Sequence, residues 1–415
     1  MVPKGLSAFG GERSGEGRRP SPRRRVTLLL GVLALSGSLA WLFGVLWFLR
    51  YFRSPAVAVE GRVTLLLAVT GRTDGLPRLF AALAAQTLRP RRMLVAVETE
   101  ADPAFAQVRE LEHLLPFPVE IVVAGLDATR SQKATNMIAA LARVDAHDDA
   151  LVLLDADILP QATWLSWLAT PALNGAADLV TGYRWHALDG AGPARHVVAW
   201  LDRALALGPR FVASGLVWGG SVAIARDALA RMDLPGALAR TFSTDGAISR
   251  RARQLGLRVL TRRAVLLPTP PEGGDREAIA FKTRQLQIVH VYVPRLWAWL
   301  GAVLHAEALA LPLALLALAG DAIAAAFVAL LMAMGFARAV LQDHVTRRIG
   351  IVEGAPARLL QIAIGTCVPL TSAAVAALFW TSARTRVIRW RHVEYEVLGP
   401  DEVRVLRRHA PGATA

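Results

Sequence analysis

In the stretch LVLLDADILPQATWLSWL, four apolar residues, Leu151 to Leu154, run directly into two aspartates one residue apart, Asp155 and Asp157. Two carboxylates at the end of a buried strand repel each other unless a cation or a solvated cleft receives them. Hard divalent cations take carboxylate oxygens, keep several waters and bridge phosphates. The pair is therefore a candidate seat for Mg²⁺ or Mn²⁺ holding a diphosphate. The same residues would also suit a solvated turn capping a helix that begins near Pro160. Their company favours the metal reading. VETEADPA places Asp102 just after another apolar run, SQKATN supplies Lys133 and Asn136 at a helix start, and FSTDGAIS puts Asp245 before a further helix. Asp245 also stands where it could cap that helix, behind Ser243 and Thr244.

The elements that must position these residues follow from periodicity. RVTLLLAVT, RMLVAVET, VEIVVAG and ALVLLDADI read as strands, alternating with the helical stretches GLPRLFAALAAQ, AFAQVRELEHLL and SQKATNMIAALARV. Continuously apolar strands between helices imply an α/β fold whose sheet is mostly parallel and buried on both faces. In such sheets ligands sit beyond the carboxyl ends of the strands, where Asp155 and Asp157 fall. The glycine-rich phosphate fingerprints are absent: GRTDGLP, after the first strand, fits neither G-x-G-x-x-G nor a P-loop. Hydride transfer and ordinary nucleotide hydrolysis lose their usual support.

Of the 415 residues 54% are hydrophobic and 19% charged, and the mean hydropathy of +0.38 exceeds that of an ordinary soluble domain. The excess is local. Val26 to Leu49 is a stretch of 24 residues without charge and Leu359 to Trp380 one of 22, each long enough to cross a hydrocarbon core of roughly 30 Å. Leu296 to Gly320 contains His305 and Glu307, and Ala322 to Ala337 ends at Arg338, so these two read as a short hairpin. The first span lacks a small-residue cleavage site and reads as a retained anchor. Cys367, the single cysteine, excludes an intramolecular disulfide. Of the net charge of +14, +8 lies in the first 25 residues and in 382–415, where it suits anionic headgroups. No basic and aromatic interleaving points to nucleic acid. The expected organisation is a disordered basic tail over 1–25, an anchor over 26–49, a catalytic-type domain over 60–290, a membrane region of about three helices over 291–381 and a basic tail over 382–415. The apolar stretch HVVAWLDRALALGPRFVASGLVW is either a core helix and strand or a segment dipping among headgroups.

Taken in order, these pieces resemble the family-2-like glycosyltransferases of GT-A (Rossmann-like) fold. The closest likeness is to the ceramide glucosyltransferase branch and related bacterial lipid (hopanoid-type) glycosyltransferases, marked by three spaced aspartates followed by R-x-x-R-W. ETEADPA, LLDADI and STDGAIS resemble the three aspartate segments and give Asp102, Asp155 and Asp245. Lys133 and Asn136 resemble a K-x-N-N motif in which Met137 replaces the last Asn. VWGGSVAIARDAL resembles the acceptor-side strand, and WRHVEYEV a W-R-x-x-x-Y tail. One segment departs: Arg284-Gln285-Leu286-Gln287-Ile288 occupies the R-x-x-R-W position without its second Arg or its Trp. Arg284 remains to meet a phosphate, with Gln287 and His290 as further candidate donors.

A diphosphate leaving group needs a metal and cations, which assigns Asp155 and Asp157 to Mg²⁺ or Mn²⁺ and Lys133 or Arg284 to the phosphates. An acceptor hydroxyl needs a carboxylate to take its proton. The resemblance implies that this base is Asp245, that the anomeric carbon inverts, and that Asp102, Lys133, Asn136, Asp155 and Arg284 bind the donor. The partners it implies are a nucleotide sugar, UDP-linked, a lipid hydroxyl such as that of a ceramide or hopanoid, and the membrane. A processive polysaccharide synthase and a catalytically silent sugar-nucleotide binder are the alternatives. The basic N-terminal tail would keep itself cytoplasmic and send the domain across the membrane, whereas nucleotide sugars are cytoplasmic. The chemistry favours a bacterial inner-membrane protein whose catalytic domain faces the cytoplasm.

Overall fold

The computed structural model describes residues 21–51, 59–208, 215–270 and 273–409. Residues 1–20 of the expected disordered tail lie outside the described residues. Its end does not: helix α1 (Pro22–Tyr51) already includes Arg23, Arg24 and Arg25.

The apolar runs become a seven-stranded sheet. β1 (Val63–Ala68), α2 (Leu76–Ala84), β2 (Arg92–Val97), α3 (Pro103–Leu111), β3 (Val119–Val123), α4 (Gln132–Leu141) and β4 (Ala150–Leu154) follow the alternation expected from the sequence. α5 (Trp164–Leu173), β5 (Leu179–His186), α6 (Pro193–Leu207), β6 (Ser221–Ala225), α7 (Arg226–Met232), α8 (Leu234–Leu238), α9 (Thr244–Gln254) and β7 (Val259–Thr269) complete it. The strand order is β3-β2-β1-β4-β6-β5-β7, parallel throughout except that β6 opposes both β4 and β5. Alternate residues feed two cores, Leu65, Leu67, Val152 and Leu154 on one face and Leu66, Leu94, Leu151 and Leu153 on the other. That two-faced burial is why the strands carry no polar alternation. Because β6 is antiparallel, its first residue, Ser221, pairs with the last of β4, Leu154. Trp218-Gly219-Gly220 is thereby placed against the D-x-D.

After α10 (Asp275–Tyr292) the chain is helical and apolar. α11 (Pro294–Ala308) with α12 (Ala310–Leu318), and α13 (Ala322–Arg348), join α1 as three stretches long and apolar enough to cross a membrane. The expected short hairpin is thus a pair of long helices. α13 continues past Arg338 because that guanidinium turns inward to the Glu307 carboxylate at 3.4 Å and over the Trp200 ring at 4.1 Å. The expected straight span over Leu359 to Trp380 is broken. α14 (Ala355–Thr366) and α15 (Val368–Ala383) meet at 85° around Cys367. Pro369 explains the break, since it has no amide hydrogen and its ring collides with the carbonyl four residues back.

The expected basic tail is also folded over most of its length. β8 (Val387–Trp390), β9 (Val393–Gly399) and β10 (Glu402–Arg408) form an antiparallel sheet. In VEYEV, Val393, Tyr395 and Val397 point inward with Ile388, Val403 and Phe242, a period-two pattern diluted by arginines and glutamates on the outer face. The stretch beginning HVVAWLDRALAL is buried helix α6; residues 209–214 that follow it lie outside the described residues.

Candidate active site

A cavity of about 400 Å³ opens beyond the carboxyl ends of β1 and β4 and is lined by Asp155, Asp157, Asp245 and Lys133. The helix after the D-x-D begins at Trp164, with Thr163 at its N-cap, so neither aspartate caps it. Lys133, in the first turn of α4, donates to Asp155 Oδ1 at 2.6 Å. Burial works against its charge, but Asp155, Asp245 and Asp157 outweigh that and hold its pKa above the ordinary lysine value. Ser243, not Asp245, caps α9, accepting from Gly246 N at 3.1 Å. Asp245 is left as the helix's second residue, touched by the Thr244 hydroxyl at 3.1 Å and facing the cavity. Gly219 makes room for it, since a Cβ there would overlap the Asp245 carboxylate. The turn before α9 is held from α10: Tyr292 Oη accepts from Phe242 N at 2.9 Å and Ser243 N at 3.0 Å.

Three guanidiniums reach the same space. Arg184 comes from β5 just past a register shift between Thr181 and Tyr183. Gly182 permits that bulge, because a Cβ there would strike the Val265 carbonyl. The Arg184 guanidinium lies 4.8 Å from the Phe281 ring centroid and 5.4 Å from that of Trp218. Burial disfavours its charge, yet Asp202, Tyr183, Asp157 and Asp155 hold its pKa above the usual value. Arg284 is pushed down to about 10 by burial and by Arg184 and Arg391, against the pull of Asp157. Lys282, between Phe281 and Arg284 in sequence, is buried against Asp202 of α6, which fixes the rotation of α10 and turns the other two to the cavity. Arg391 arrives with Trp390 from the β8–β9 turn. The cavity also has apolar lining, from Trp41 and Gly44 of α1 and from Leu296, Trp299 and Leu300 of α11.

Residues 29–402 match the model of glycosyl transferase family 21. The chain belongs to glycosyl transferase family 21. Among solved structures, a mannosyltransferase from Pyrobaculum calidifontis in complex with GDP-Man and Mn²⁺ is 18% identical, with 85% of this chain and 98% of that one covered and a TM-score of 0.43. Glucosyl-3-phosphoglycerate synthase from Mycobacterium tuberculosis, in complex with Mn²⁺, UDP-glucose and phosphoglyceric acid, is 16% identical, with 58% of this chain and 85% of that one covered and a TM-score of 0.39. No curated protein sequence matches the chain.

In this family 21 glycosyltransferase, the residues singled out in sequence divide by place. Asp155, Asp157, Asp245, Lys133 and Arg284 line the cavity; Asp102, Asn136, Gln287 and His290 do not. Asp102 is buried as the N-cap of α3, its Oδ1 accepting from Ala104 N at 2.9 Å and from Gly71 N at 2.8 Å. Beside it Glu98 is raised to about 7, by burial first and then by Asp102, and meets His392 Nε2 at 3.2 Å. Asn136 donates to Val69 O at 3.1 Å and Ala96 O at 3.2 Å, tying the ends of β1 and β2. Gln287 donates to Thr385 O at 3.1 Å, and His290 stacks on Trp297 with centroids 4.2 Å apart. Sequence reasoning passed over Arg184 and Tyr292. Arg184 is the arginine of Gly182-Tyr183-Arg184 in VTGYRW, and Tyr292 ends helix α10; neither pattern marks a site.

The donor set fits a hard cation. Asp155 and Asp157 offer carboxylate oxygens, and among the described residues no three His, Cys, Asp or Glu side chains gather as a cage. Such a set suits Mg²⁺ or Mn²⁺, which keep waters and take phosphate oxygens from the substrate.

Proposed function

We propose that the chain is a membrane-bound inverting glycosyltransferase that moves one hexose from a UDP-linked donor to the hydroxyl of a lipid. One observation carries this reading. One and the same cavity is lined by Asp155, Asp157, Asp245 and Lys133 and by Trp41, Gly44, Leu296 and Leu300 of the apolar helices α1 and α11. A lipid whose tails lie among Trp41, Gly44, Leu296 and Leu300 would present its hydroxyl toward the carboxylates. The domain then faces the compartment that holds nucleotide sugars, the cytoplasm of a bacterium in the inner-membrane assignment.

The chemistry follows from where each charge stands. Asp155 and Asp157 would hold Mg²⁺ or Mn²⁺, which when bound neutralises charge on the diphosphate. Lys133 and Arg284 bring fixed positive charge to the oxygens that gain it as the bond to the anomeric carbon breaks. Asp245 accepts the proton of the lipid hydroxyl while its oxygen bonds to that carbon from the opposite side. The diphosphate leaves with the electron pair, and the configuration inverts. Phe281 and Trp218 wall the cavity and limit competition by water.

The test is transfer of labelled hexose from UDP-sugars to a total lipid extract by the purified protein, with products resolved by mass spectrometry. A single-hexose lipid is expected. Asp155→Asn and Asp157→Asn should weaken donor binding and turnover together, and excess chelator should abolish transfer. Full activity in chelator would remove the metal assignment, and labelled polymer in place of glycolipid would remove the single-transfer reading.

A further inference from the structure

The family-like segment of α10 keeps one arginine where two are expected, and the C-terminal sheet brings another to the same cavity. We propose that Arg391, at the β8–β9 turn, binds the leaving diphosphate together with Arg284 and Arg184. This rests on the functional reading above.

Four observations support it. First, Arg184, Arg284 and Arg391 come from three separate elements, β5, α10 and the β8–β9 turn, and all line the cavity that holds Asp155 and Asp157. Among the described residues none of the three forms an ion pair with a carboxylate. Arg284, buried beside two like charges, is disfavoured by both Arg184 and Arg391, and a bound anion would relieve that repulsion. Second, Arg391 adopts φ 54°, one of two positive-φ residues other than glycine among those described. Glycine or asparagine relieves such a turn, and a long cationic side chain does not. Strain of this kind persists where a side chain has a use. Third, the turn is held on both sides. His392 meets Glu98 Oε2 at 3.2 Å at the end of β2, Tyr395 Oη accepts from Gln132 N at 3.0 Å, and Trp390 lines the cavity beside Arg391. Fourth, the ligand chemistry is a phosphate group, because a guanidinium fork matches phosphate oxygens and these forks line the same cavity as the carboxylates that suit a metal. A lipid headgroup phosphate has the same chemistry, and the vesicle arm of the test separates it from the donor's diphosphate.

Calorimetric titration of the purified full chain with UDP, UMP and uridine, in Mn²⁺, tests this. Arg391→Asn keeps a residue that tolerates the left-handed turn, so the thermal midpoint should hold or rise. UDP affinity should fall at least ~10-fold, with UMP reduced less and uridine unchanged. Arg391→Lys, which keeps charge but not the fork, should lie between. Equal UDP affinity in the parent and Arg391→Asn would overturn the assignment while leaving the functional reading standing. So would unchanged UDP affinity with a lost response to phosphatidic acid vesicles, which would move Arg391 to the headgroup. A parent that binds neither UDP nor GDP would remove the functional reading and this assignment with it.

Discussion

Asp245 is the residue on which the proposed chemistry turns, and the structure separates its two possible duties. Ser243 supplies the cap of α9, so the Asp245 carboxylate is not needed to start the helix. Asp245→Asn should therefore leave folding nearly unchanged. General-base assistance is typically worth ~10²–10⁴-fold. Single-turnover transfer should fall by at least ~10²-fold, while donor affinity measured by calorimetry stays within a few-fold of the parent. Transfer at the parent rate would take the base role from Asp245. The metal pair behaves differently, because Asp155 and Asp157 act on donor binding as well as turnover. Glycine matters here at one place: Gly219→Ala would push a methyl group into the Asp245 carboxylate and mimic its loss.

The C-terminal sheet is the element that changes the picture most. Its docking on the catalytic domain depends on Tyr395, whose buried hydroxyl accepts the amide of Gln132, a first-turn donor of α4 that has no partner within the helix. Tyr395→Phe strands that amide beside Lys133. The expected cost is about 1–3 kcal/mol of stability, read in chemical denaturation, with weaker UDP binding because α4 and the β8–β9 turn both loosen. Unchanged stability and affinity would show that the sheet is held elsewhere, for instance by Arg250 on Asp401. This element also marks the limit of what could be read from the chain. Strands β1 to β4 were plain because burial on both faces leaves uninterrupted apolar runs. β8 to β10 bury one face only, and their outer arginines and glutamates read as a charged tail. The D-x-D, Lys133 and Asp245 stood at strand and helix ends that periodicity locates. Arg184 did not, because a bulge at Gly182 sets its direction, and a bulge is a tertiary event. Asp102 and Asn136 were found by motif, yet their polar atoms are engaged with backbone at the ends of β1, β2 and α3, which spacing alone does not disclose.

At the scale of the whole molecule, the helices carry an orientation. Thr27 of α1 donates to Asp321 at 3.0 Å, its middle meets the bundle where Ser38 donates to Glu307 at 2.8 Å, and Gly44 lies against Gly208 of the catalytic domain. α13 runs the opposite way, from Asp321 to Ile349, whose carbonyl accepts from Gln161 at 2.6 Å. The start of α1 and the α12–α13 turn therefore share the end of the bundle remote from the sheet. A 30-residue helix extends about 45 Å, more than a hydrocarbon core of roughly 30 Å. If α1 crosses, Ser21 and the catalytic domain lie on opposite sides. The seven basic residues before Val26 would pull their own end toward the cytoplasm, but Arg347, Arg348, Arg384 and Arg386 crowd the other end, and the proposed nucleotide-sugar donor is a cytoplasmic metabolite. The expected outcome is a cytoplasmic domain with Ser21 outside. In a Cys367→Ser background, Ser21→Cys should react with a membrane-impermeant maleimide on intact cells, and Asp227→Cys, exposed on the domain, only after permeabilisation. Labelling of Asp227→Cys in intact cells would put the catalytic domain outside and cut it off from cytoplasmic donor. Protection of both would mean that α1 lies within one leaflet, and the cavity mouth at Trp41 and Gly44 would then open to lipid from the side of the bundle rather than along a crossing helix.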